Sequence, residues 1–161
     1  MTFNGGVLPT SEDQNVVFFA VNGQNGFPST IRLLRSMGIP WVVLADGPAL
    51  RPGKRLAKYL RAEGLLESMP PAQRLEDVRK VWSAAGVYSF ATEFGDDGTK
   101  SGEIDAFMES IDPTALAAAR KTVGAQKGAR VGAAFAAAVA PPPVVADLWA
   151  QMCNRLIGAN N

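Results

Sequence analysis

Two uninterrupted apolar runs constrain this chain more than any other feature. Val16-Val17-Phe18-Phe19-Ala20-Val21 and Pro40-Trp41-Val42-Val43-Leu44-Ala45 show no polar alternation. Neither run therefore offers a face to water, which is the pattern of strands covered on both sides in a parallel sheet. Asn22-Gly23-Gln24-Asn25-Gly26 breaks the first run. Phe27 to Met37 follows with Ile31, Leu33 and Leu34 among polar residues, Pro28 near its start and Gly38 beyond its end, and this predicts a helix. Helical spacing recurs over 53–63 and over 73–85, where Leu75, Val78, Val81 and Trp82 fall on one side. Gly86 to Ala91 reads as a third strand, and Thr92 to Gly102 as a polar loop. Helical patterns then fill the rest: a start at Glu103 to Met108, then Pro113 to Lys121, Ala129 to Ala140 and Val144 to Ile157. Strands alternating with helices early, and helices alone late, predict an α/β fold with a short parallel sheet flanked by helices and a helical C-terminal part. With 161 residues this is a single domain over 16–158, behind a polar and flexible segment over 1–15.

Composition removes whole classes of chemistry. There is no histidine and one cysteine, Cys153. Ser-His and Cys-His catalysis, histidine-ligated metals, cysteine-rich zinc sites and internal disulfides are all excluded. Any reaction must rest on carboxylates, lysine, hydroxyls or a bound ion. The apolar run from Val131 to Val144 is interrupted by Gly132 and closed by Pro141 to Pro143, so no membrane segment is expected. Met1 to Asp13 lacks a basic start and an apolar core, so a cytoplasmic location is expected.

Four features carry candidate chemistry, each with a plainer role beside it. Asp46 ends the second run, where a parallel strand delivers residues to the carboxyl edge of its sheet, and it reads equally as a turn former before Gly47-Pro48 or as a magnesium ligand. Ser101 and Glu103 open a helix, where a cap and an acid at the positive end of the dipole are ordinary. Lys127 stands in a glycine-bearing bend, where lysines are commonly just solvated. Arg51, Lys54, Arg55, Lys58 and Arg61 are spaced to share one helix face, which suits solvent or the phosphates of DNA. Asp105, two residues beyond Glu103 along a helix, is expected to point away from it.

Taken in order, these pieces resemble the C-terminal Toprim domain of OLD-family (overcoming lysogenization defect) ATP-dependent endonucleases. The matching text is Val21-Asn22-Gly23-Gln24-Asn25-Gly26-Phe27, then Gly38-Ile39-Pro40-Trp41-Val42-Val43-Leu44-Ala45-Asp46-Gly47, then Gly86-Val87-Tyr88-Ser89-Phe90, Ser101-Gly102-Glu103 and Lys127. The resemblance implies a Toprim, Rossmann-like fold and a magnesium- or manganese-dependent DNA nuclease. In it Asp46 and Glu103 would bind metal, Ser101 would be a site hydroxyl and Lys127 the electrostatic catalyst. Arg51, Lys54, Arg55 and Lys58 would hold DNA. Pro48 stands where the family has a second strand-end acid, and no glutamate-bearing strand precedes the Gly-rich turn. The implied activity is therefore incomplete without a partner, such as an ATPase or nuclease chain or a second copy. The alternative is a module that keeps the fold for binding or assembly without catalysis.

Overall fold

The computed structural model describes residues 2–3, 6–7, 16–17, 21, 25–51, 53–67, 75–90 and 103–158. In the N-terminal segment, β1 (Thr2–Phe3) and β2 (Gly6–Val7) pair antiparallel, with Thr2 opposite Val7 and Phe3 opposite Gly6. The strand expected over Val16 to Val21 falls partly outside the described residues, at Phe18 to Ala20. Val16, Val17 and Val21 themselves are in no strand.

Helix α1 (Phe27–Ser36) begins with Pro28 in its first turn, buries Ile31 and gives way to Gly38 at φ +67°. Strand β3 (Val43–Leu44) pairs in parallel with β4 (Val87–Tyr88), Val43 opposite Val87 and Leu44 opposite Tyr88. The amides of Val43 and Ala45 donate to the carbonyls of Gly86 and Tyr88 at 2.9 and 2.8 Å. The expected coverage of β3 on both faces is corrected: Val43 is buried, but Leu44 is 42% exposed. The apolar run is longer than the strand because β4 offers only two residues to pair with, and Pro40 has no amide to donate.

A 3-10 turn (Gly47–Leu50) leads to α2 (Arg55–Ala62), which buries Leu56, Ala57, Tyr59 and Leu60. Helix α3 (Leu75–Ala84) then precedes β4. With α1, these elements enclose a core that includes Ile31, Leu50, Leu60, Val78, Trp82 and Val87. The connection from β3 through α2 and α3 to β4 is a crossover, as a parallel pair requires.

Helices α4 (Ile104–Ile111), α5 (Pro113–Val123) and α6 (Ala129–Ala138) form a second cluster around Met108, Leu116, Val131 and Phe135. The break between α4 and α5 is fixed by Asp112, whose Oδ1 accepts from the Ala115 amide at 2.8 Å, with Pro113 next. Helix α7 (Pro143–Gly158) returns to the first half of the chain. Its Arg155 guanidinium donates to the carbonyls of Ser83 and Ala84, both at 3.0 Å, at the end of α3. Those are carbonyls that a helix C-terminus leaves without intrahelical partners, and a cation suits them. The architecture is thus a short parallel sheet flanked by helices, with a helical C-terminal part. Among the described residues no single helix is long and apolar enough to cross a membrane.

Candidate acidic site at the carboxyl edge of the parallel pair

Asp46 leaves β3 in extended conformation, φ −70° and ψ 145°, and its carboxylate turns to the start of α4. Its Oδ1 accepts the Ile104 amide at 2.8 Å. That amide is among those a helix N-terminus leaves unpaired, so a residue of the sheet caps a helix 58 positions later in the chain. Glu103 is the residue before that helix, with φ −81° and ψ 147°.

Glu103 and Asp105 meet on one cation. Nζ of Lys127 lies 3.1 Å from Oε2 of Glu103 and 3.5 Å from Oδ2 of Asp105. The expectation that Asp105 points away from Glu103 is therefore corrected. Helical geometry separates residues two apart, but Glu103 is not helical, and its extended backbone swings its carboxylate to the side of Asp105. Arg120 of α5 adds a second cation 3.8 Å from Oδ1 of Asp105, and its Nε donates to the Gln126 carbonyl at 3.0 Å, tying down the loop that carries Lys127.

Three carboxylates here face two cations, and the imbalance falls on Asp46. Partial burial raises its pKa, and the nearby charges of Glu103 and Asp105 raise it further, against the lowering effect of the Ile104 and Gly47 amides. Lys127 is shifted up by its hydrogen bond to Glu103 and by both acids, so it stands as an ammonium and not as a base.

Magnesium or manganese, the ions the resemblance implies, take hard oxygen ligands of the type these carboxylates supply. The arrangement does not fit such an ion. Among the described residues no group of three His, Cys, Asp or Glu side chains is disposed to hold a metal. The point on which Glu103 and Asp105 converge is held by Lys127.

No protein-family model, curated protein or solved structure matches this chain.

Of the residues singled out in the sequence, Asp46, Glu103 and Lys127 come together, while Ser101 lies outside the described residues. The basic stripe is corrected in part. Only Arg55, Lys58 and Arg61 belong to α2, on its exposed side. Arg51 and Lys54 precede it in extended conformation, at ψ 140° and 160°. Arg51 stands before Pro52, which disfavours helical backbone at that position. All the same, this cationic stretch follows within a few residues of Asp46. Asp105 and Arg120 are site members that sequence reasoning did not assign. Arg120 carries no local signal, because only the packing of α5 on α4 brings it to Asp105.

Away from the acids, a cleft of about 790 Å³ opens between α1, β3 and α7, lined by apolar side chains including Phe27, Trp41, Leu44, Trp149 and Leu156. Among the described residues its walls hold no acid, lysine or arginine.

Proposed function

We propose that this chain is a Toprim-like DNA-phosphodiester module of the metal-dependent nuclease type, incomplete as a hydrolase by itself. The observation that supports this reading is the meeting of a strand-end aspartate, a glutamate at the start of a helix and a lysine from a third segment, beside the parallel pair. Sheet-edge sites of this kind are where α/β folds bind ligands. Arg55 and Lys58, exposed on α2, and Arg51 and Lys54 before it, would follow a phosphate backbone without reading bases. Lys127 would set a positive charge against the phosphate.

Hydrolysis is not expected of the chain alone. Pro48 removes one acid of the family pattern, and two of the acids present, Glu103 and Asp105, are neutralised from within. A partner chain or a second copy would have to complete the site. The same internal neutralisation favours a second reading, a binding or assembly module that retains the fold without the reaction.

Fluorescence anisotropy with a duplex oligonucleotide tests the proposal. Weak binding that falls with salt is expected, and changing Arg51, Lys54, Arg55 and Lys58 to alanine should cut the slope of log K against log salt by up to about 4. Binding unchanged in that variant removes the proposed interface. Plasmid incubated with magnesium or manganese should remain intact; robust nicking abolished by Asp46→Ala and by Lys127→Ala would instead establish an autonomous nuclease.

A further inference from the structure

We infer that Arg120 is a positioning residue for Lys127, bracing the α5–α6 loop so that the lysine stands at the sheet edge where a phosphate of DNA would arrive. The inference rests on the reading of this edge as a phosphodiester site, and it names what places the cation of that site.

The ion pairs of Lys127 do not by themselves fix its place. Its side chain is 60% exposed, and solvent-exposed pairs contribute little against the entropy of ordering a lysine. Its position is therefore set through the backbone, and residues 124 to 126 are each bonded to Arg120. The Arg120 carbonyl accepts the amides of Gly124 at 3.0 Å and Ala125 at 3.2 Å, closing α5 on a glycine at φ +68°. Nε of Arg120 donates to the Gln126 carbonyl at 3.0 Å. Lys127 comes next, and Gly128 beyond it opens α6, its carbonyl accepting the Val131 amide at 3.0 Å and the Gly132 amide at 3.1 Å. The backbone of Lys127 is thus held on both sides. Any residue at position 120 would supply the carbonyl, so what is particular to arginine is the Gln126 bond together with its reach to Asp105. Nη2 lies 3.8 Å from Oδ1 of Asp105, whose Oδ2 faces Lys127. One planar fork therefore ties the loop to the helix that the lysine faces, and an ammonium at the end of a flexible stem does not reproduce that geometry. An ammonium placed in advance meets a phosphate without a further ordering cost, which is how fixed charge acts on a developing anion.

Nitrogen-15 relaxation of the full chain without DNA, on wild type, Arg120→Met and Arg120→Lys, tests the brace. In both variants the order parameter of the Lys127 amide should fall from about 0.85 to below about 0.6, while the amides within α5 and α6 keep theirs. A Lys127 amide as rigid in Arg120→Met as in wild type, or rigidity fully restored by Arg120→Lys, overturns the inference. Anisotropy with a DNA duplex then tests whether Arg120 acts through Lys127. Arg120→Met should lower the slope of log K against log salt by about 1, as Lys127→Ala does, and the double variant should lose no more than Lys127→Ala alone. Losses that add in the double variant would give Arg120 a phosphate contact of its own and likewise overturn it. Relaxation needs no DNA, so a wild type that fails to bind DNA sinks the phosphodiester reading while the hold of Arg120 on Lys127 is decided separately.

Discussion

At the scale of single residues, Asp46 joins structure to chemistry. Burial and two neighbouring acids raise its pKa above the ordinary 3.8. A carboxyl raised by folding favours the protonated form in the native state, so the stability it contributes is complete below pH 3.8 and is lost as pH rises through the folded value. At neutral pH its ionised form is thus a net cost to the fold. Asp46→Asn keeps an acceptor for the Ile104 amide and removes the charge. It should stabilise the fold at pH 7, by less than about 1 kcal/mol after solvent screening, with a correspondingly higher melting temperature, and make no difference near pH 3. Thermal melts across that range check this, and equal destabilisation at both pH values would contradict it.

At the scale of elements, the junction between α4 and α5 sets the site, because Asp105 and Arg120 come from opposite sides of it. Asp112 ends one helix and caps the next. Asp112→Ala should cost about 1 kcal/mol in urea denaturation, and Asp112→Asn should restore most of it. The elements were legible in the sequence where their cause is local. The proline and glycine bounding α1, the helical spacing of α3 and Asp46 at the end of an apolar run all needed no tertiary information. Two expectations failed for reasons outside the local pattern. Leu44 looked like the inside of a sheet, but among the described residues the parallel sheet has two strands and the face of Leu44 opens onto the cleft. Asp105 was placed by helical geometry, when the residue beside it was not helical. The basic stripe likewise had the right spacing, but Arg51 and Lys54 stand outside α2 in extended conformation.

At the scale of the whole molecule, α7 closes the fold by returning to the end of α3. Gly86, at φ +82°, sits beneath it, and a Cβ there would lie 3.2 Å from Nε of Arg155 and 3.3 Å from the Trp41 ring. Arg155→Met should lower stability by about 1 kcal/mol with no change in the slope against urea, since two hydrogen bonds go but the surface exposed on unfolding does not. A stable variant would show that the Ser83 and Ala84 carbonyls gain nothing from this cation. On the proposed function, the acidic edge and the cations after it would together face a phosphate backbone. The amide of Ile104 reports on that edge directly, because it is bound to Asp46. Chemical-shift mapping with a short DNA duplex should move the amides of Ile104, Lys127, Arg55 and Lys58 together along one titration curve. Shifts confined to other parts of the molecule, or none at all at low salt, would contradict the account.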